Sequence, residues 1–297
     1  MAWEDRLMRC ACLLLIAGCG FSSQPGAADD PGGPGGSNDP GGPVGVGGGS
    51  GSASRCDASD PAPLLGVSFG TNPLVQDLAT PAHDLLEHTG ILPLANIALP
   101  VTGFVVQTAG TFSATSQLRF KERPDLDVDD LTIDLWMSPQ GGPAENGSWM
   151  LDNNTEYYAA YNGDRTVRCG VGDTAVDSNA TVAAGAWHHV ACTYGKGDHL
   201  LRVYVDGDLS GCHPMTPGIP HGAKDGVAIG ANFDPKSSFP LSFQQHFVGS
   251  LGHVHVYGTE LAPDQICRAA GRTGCSIACP GSGSSDGGER GDPGGPG

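Results

Sequence analysis

The chain has 297 residues and a formal charge of −17, with 32 Asp and Glu against 15 Lys and Arg. So acidic a surface repels phosphate backbones and argues against nucleic acid as a partner, while favouring solubility. Its 47 glycines and 23 prolines crowd the two ends, where apolar side chains are too few to offset the entropy of ordering, which leaves residues 56–279 as the length of one all-β domain.

Taken in chain order, the first element is the apolar run around Leu13 to Ala17. It is shorter than the about 20 residues that span a bilayer and fits the apolar region of an export signal. Ile16, Ala17, Gly18 and Cys19 resemble the bacterial lipobox, in which two small residues admit the peptidase and the thiol becomes a diacylglycerol thioether. The resemblance implies a signal peptide over residues 1–18, a lipidated Cys19, and anchoring to the lipid bilayer by three acyl chains, which hold more firmly than one. Gly20 stands where an inner-membrane retention signal carries Asp, so the expected address is the outer membrane. Glu4 and Asp5 offset the early arginines, and Met8 followed by Arg9 makes a more basic start, so Met1 and Met8 both stand as initiators. Residues 19–55 read as the lipidated cysteine and a disordered Gly/Pro-rich tether, reaching about 30 Å. The words from Asp30 to Gly35 and Asp39 to Pro43 return at Gly291 to Pro296, in a disordered tail over residues 280–297.

Between these ends the periodicity is that of strands. Leu131, Ile133, Leu135 and Met137 alternate with polar residues and mark one face of a strand. Trp187 to Tyr194 is a second strand and Leu200 to Val205 a third. Asp206 and Gly207 form the strongest short-range hairpin signal. Val227 to Gly230 and Phe247 to Tyr257 follow, and Pro263 to Ala270 predicts one short helical turn. The expected fold is all-β, a two-sheet antiparallel β-sandwich of jelly-roll type flanked by the disordered segments.

Seven cysteines fall in or beside this region: Cys56, Cys169, Cys192, Cys212, Cys267, Cys275 and Cys279. Without a C-x-x-C pair a zinc site is not indicated, and disulfides in an oxidising compartment are expected. Counting through the turns sets Cys192 and Cys212 each opposite Arg202, on strands about 9–10 Å apart. That exceeds the about 7 Å a disulfide allows, so Cys169 with Cys192 is the expected pair. Cys56 is expected to reach one of Cys267, Cys275 or Cys279.

The words Ser116 to Phe120, Leu131 to Pro139, Gly185 to Tyr194, Leu201 to Gly207, Ala228 to Gly230 and Phe247 to Tyr257, in this order, resemble the laminin-G-like, concanavalin-A-like lectin/glucanase jelly rolls and, more distantly, the pentraxins. The resemblance implies a module that binds a glycan or surface-protein ligand, often with calcium. Carried over by position, Asn232, Asp234 and Gln245 would give calcium its oxygen ligands, with Asp152, Asn153 or Asn154 supplying the rest, a donor set calcium accepts. Asp and Asn are also ordinary turn residues. A structural or adhesive envelope protein without a small ligand is the alternative. A glycoside hydrolase is disfavoured and no enzyme is expected, because the Glu-x-Asp-x-x-Glu carboxylate strand of glycosidases of this fold is missing. His188 and His189 read as strand residues rather than ligands. His253 and His255 share a strand face without an evident third ligand, and Tyr157, Tyr158 and Tyr161 make a small aromatic cluster at the expected rim.

Overall fold

The computed structural model describes residues 61–70, 74–98, 105–143, 147–216, 218–222, 225–234 and 243–280. The signal segment, Cys19, the tether, Cys56 and the tail beyond Pro280 lie outside the described residues. The strands run β1 (Leu65–Phe69), β2 (Val75–Asp77), β3 (Leu85–Thr89), β4 (Leu92–Ala98), β5 (Val105–Phe112), β6 (Gln117–Phe120), β7 (Leu131–Pro139), β8 (Ser148–Asn153) and β9 (Tyr157–Tyr161). They continue as β10 (Thr166–Val171), β11 (Thr174–Thr181), β12 (His188–Gly195), β13 (Leu200–Val205), β14 (Asp208–Pro214), β15 (Val227–Ile229), β16 (Asn232–Phe233), β17 (Phe243–Gln244) and β18 (Gly249–Tyr257), before helix α1 (Pro263–Ala269).

Two large antiparallel sheets form a sandwich. One has the order β14-β13-β12-β7-β18-β1-β2, with β5 sharing the β18 edge and β4 flanking it. The other runs β11-β10-β9-β8-β15-β6-β3, and β16 and β17 make a separate hairpin. Period-two alternation decides what each strand buries. On β7, Leu131, Ile133, Leu135 and Met137 enter the core between the sheets, as do Val190, Cys192 and Tyr194 of β12. From the opposing sheet come Tyr157, Ala159 and Tyr161 of β9 with Val167, Cys169 and Val171 of β10. The expected rim cluster of three tyrosines is therefore corrected: alternation sends Tyr157 and Tyr161 inward and leaves only Tyr158 on the outer face. Asp206 and Gly207 close the β13–β14 hairpin with φ of 52° and 83°, the left-handed pair that a two-residue primed turn requires.

The outer face of the larger sheet is covered by α1, where Ile266 and Leu261 pack on Ala191, Tyr204 and Tyr257. Two disulfides hold this end, Cys267 with Cys275 and Cys212 with Cys279. The expected bond from Cys56 to one of Cys267, Cys275 or Cys279 is corrected, since each of the three already has another partner. Cys169 and Cys192 are joined across the two sheets with Cα atoms 5.6 Å apart. The register behind that expectation differs by one residue. Thr193, not Cys192, stands opposite Arg202, and Cys212 does face Arg202. A one-residue slip exchanges faces, so Cys192 points into the core and Cys212 away from it.

The histidines of the larger sheet build structure. His188 pairs with Asp206 at 2.8 Å. His189 is buried and hydrogen-bonds Asp134, which also faces His255 at 3.6 Å. Burial alone would raise the Asp134 carboxyl, but these two rings hold it far below the usual carboxylate range. A bulge after Gly252 places His253 at φ 48°, with its ring 5.8 Å from that of His255.

Candidate functional site: a hairpin over the smaller sheet

On the smaller sheet, Asp152 of β8 stands opposite Tyr158 on one side and Ala228 on the other. Leu151 faces the core, so Asp152 faces outward, yet it is only 1% exposed. The β16–β17 hairpin folds over it, and the Phe233 N–H donates to Oδ2 at 2.9 Å. Oδ1 is buried with no hydrogen-bond partner. Burial raises this carboxyl to about 8, against the opposing pull of the Phe233 and Asn154 amides and with a further push from Asp225.

The same hairpin carries three more of the expected ligands. Asn232 pairs with Gln244 across it, and its Nδ2 donates to Gln245 Oε1 at 2.7 Å. Gln245 has φ 51°, and its carbonyl accepts the Trp149 N–H at 2.9 Å, pinning the hairpin's return to β8. Asp234 follows Phe233 and is partly exposed. Asn154, at φ 41°, turns its side-chain N–H to Asp225. The hairpin thus brings Asn232 and Gln245 together over Asp152, Asp234 follows on the same segment, and Asn154 is engaged to one side. A cleft of about 430 Å³ opens beside Gln245, bordered by Gly141, Gly142, Ser148, Tyr161 and His246.

Among the described residues, no group of three or more His, Cys, Asp or Glu side chains is arranged to hold a metal ion. The set at the hairpin is of another kind, two carboxylates with two side-chain amides. An unmatched buried carboxylate oxygen amid oxygen donors suits a hard cation, which takes oxygen ligands and offsets the cost of desolvating the anion.

Two features were not anticipated from the sequence. Trp149 stacks on Tyr158 with ring centroids 4.3 Å apart; the irregularity in β8 between Trp149 and Leu151 brings both rings to one face, and simple alternation does not forecast it. Glu122, in the loop after β6, has both carboxylate oxygens buried without partners. Burial first, and then the neighbouring Glu156, raise it to about 7.

Residues 112–267 match a family profile described as the concanavalin A-like lectin/glucanases superfamily. The chain belongs to this family. The match takes in every residue of the hairpin site. Among curated proteins, this concanavalin A-like domain is similar to the mouse sushi, von Willebrand factor type A, EGF and pentraxin domain-containing protein 1, at 31% identity over 46% of the chain and 4% of that protein. Human neuronal pentraxin-1 is 28% identical over 29% of the chain and 20% of its own length. The chain thus spans a small part of either relative. Among solved structures, the binding domain of Paraclostridial Mosquitocidal Protein 1 superposes with a TM-score of 0.55 and 11% identity, covering 70% of this chain and 51% of that one. The botulinum neurotoxin serotype G binding domain gives 0.52 and 10%, over 70% and 50%. At these identities the likeness is one of fold.

Proposed function

We propose that this chain is a lipid-anchored protein of the outer membrane, held by acylated Cys19, whose concanavalin A-like domain binds a glycan or surface-protein ligand at the β16–β17 hairpin with the help of calcium. The observation that carries the reading is the buried Asp152 oxygen with no partner beneath a hairpin that also bears Asn232, Asp234 and Gln245. Asp152 and Asp234 would hold the cation with the amide oxygens of Asn232 and Gln245. When bound, calcium supplies a positive centre for hydroxyl or carboxylate oxygens of a ligand in the adjoining cleft. The residues themselves order the hairpin: Phe233 ties it to Asp152, and Gln245 ties it to Trp149.

A binder rather than a catalyst is the better reading of the acid groups. The carboxyls that burial raises have different surroundings: Asp152 lies under the outer hairpin, Glu122 beside Glu156, and Glu260 beside Arg202. The purified domain is expected to release no reducing sugar from β-glucans; measurable release would reverse this.

A ligand bound only by the folded state stabilises it by mass action. Millimolar calcium should therefore raise the melting temperature relative to chelator, and Asp234→Ala should abolish the rise. Equal melting temperatures for the wild-type protein in calcium and in chelator would refute the site. For the anchor, wild type should incorporate a labelled lipid precursor and sediment with membranes, whereas Cys19→Ser should do neither; label retained by the variant would rule the anchor out.

A further inference from the structure

We infer that Asn179, on the edge strand β11, is a modification site, the acceptor of a covalently attached N-linked oligosaccharide. The chain holds three Asn-x-Ser/Thr words, beginning at Asn146, Asn153 and Asn179. Such a word marks an acceptor only where an exported protein presents it on its surface. Asn146 lies outside the described residues. Asn153 is buried, and its Nδ2 donates to Glu156 at 3.2 Å. Asn179 is exposed, as are Asp177 and Thr181 on either side of it. β11 stands at the edge of the smaller sheet. Its pairing is irregular at this point: residues 166 to 168 of β10 face residues 177 to 181 of β11. The extra length makes a bulge with Asn179 at its centre. Side chains tie the backbone around it. Ser178 Oγ accepts the Val167 N–H at 2.9 Å and donates to the Ala180 carbonyl at 2.6 Å, and Ser210 Oγ accepts the Ala180 N–H at 2.9 Å. Among the described residues, no hydrogen bond engages the Asn179 side chain itself.

The chemistry needs that freedom. A carboxamide nitrogen is a poor nucleophile, because its lone pair is delocalised into the carbonyl. A transferase must grip and turn the amide, so a buried, hydrogen-bonded amide such as Asn153 is out of reach while an exposed, unengaged one is available. In the step, Asn179 Nδ2 attacks the anomeric carbon of an oligosaccharide carried on a polyprenyl diphosphate. The carbon–oxygen bond to the diphosphate breaks as the carbon–nitrogen bond forms. Polyprenyl diphosphate leaves, and Nδ2 gives up one proton to the transferase or solvent. Asp177, Asn179 and Thr181 stand at alternate positions of one strand and are all exposed, so a transferase can meet the amide, the hydroxyl and a carboxylate from one side. The compartment agrees. Three disulfides in the described residues fit an oxidising space outside the cytosol, where lipid-linked sugar donors are consumed. The acceptor role stands apart from the ligand site, because β11 is three strands from β8, about 14 Å across the sheet.

Peptide mass spectrometry of the full chain, purified from its native host after export, tests the assignment. Peptides containing Asn179 should carry an oligosaccharide that fragments by loss of whole sugar residues, and peptides containing Asn153 should be bare. Treatment with a peptide N-glycosidase should release the sugar and leave an aspartate at position 179. Expressed in the same host, Asn179→Gln and Thr181→Ala should abolish the modification at this position, whereas Thr181→Ser, which keeps the hydroxyl, should retain most of it. Both side chains are exposed, so the unglycosylated variants should melt as the enzymatically deglycosylated wild type does. A bare Asn179 in the exported wild-type protein would overturn the assignment, whatever the variants do. So would sugar that persists on this peptide in Asn179→Gln or at full occupancy in Thr181→Ala, or sugar found on serine and threonine hydroxyls alone.

Discussion

At the proposed site, Asp152 would couple calcium to protons. Its carboxyl is raised by burial to about 8 from an ordinary value of 3.8, so the folded protein prefers the protonated form more than the unfolded chain does. The resulting stabilisation is complete below about pH 4 and is lost as the pH rises towards 8. Calcium held at the proposed site would need the ionised form and would displace that proton. Titration calorimetry at pH 7 in two buffers of different ionisation enthalpy should report close to one proton released per calcium bound in wild type and none from this site in Asp152→Asn. Glu122 adds a slope of the same sign, being raised from 4.5 to about 7 by burial and then by Glu156. Glu122→Gln should therefore stabilise the protein at pH 8, by about 1 kcal/mol after discounting for partial exposure, and change little at pH 4, as read from urea midpoints.

At the scale of elements, strands whose sequence alternates were legible and those with irregularities were not. Leu131 to Met137 buries the face its spacing implies, because a nine-residue strand in the middle of a sheet has no freedom to slip. The β12–β13 register differs by one residue from the one the sequence predicts, since Gly195 pairs with Leu200 around a four-residue turn that side-chain chemistry alone does not dictate. Trp149 escaped notice because a bulge is a backbone event. The candidate residues Asp152, Asn232, Asp234 and Gln245 were legible only through family likeness; what brings Asn232 and Gln245 over Asp152 is a hairpin crossing a sheet, and no local pattern encodes that. The disulfide between Cys169 and Cys192 ties β10 to β12 across a sequence separation of 23. A loop of that size implies about 3 kcal/mol from restricting the unfolded chain. The double variant Cys169→Ala, Cys192→Ala should lower the urea midpoint by a corresponding amount.

Over the whole molecule, the β16–β17 hairpin lies over Asp152 of the smaller sheet, while α1 and its disulfides cover the outer face of the larger one. That cover has a mechanical consequence. Cys279 lies at the exit of the described chain and is bonded to Cys212 on β14, and β14 is hydrogen-bonded along its length to β13. Tension applied beyond Pro280 therefore passes through a covalent link into a strand, and α1 is bypassed as a load-bearing element. Under reducing conditions the same pull would first peel the helix from Ala191, Tyr204 and Tyr257, one contact at a time. Single-molecule extension from the tail should show an early low-force step in reductant that is missing in its absence, so that oxidation converts a zipper into a rivet.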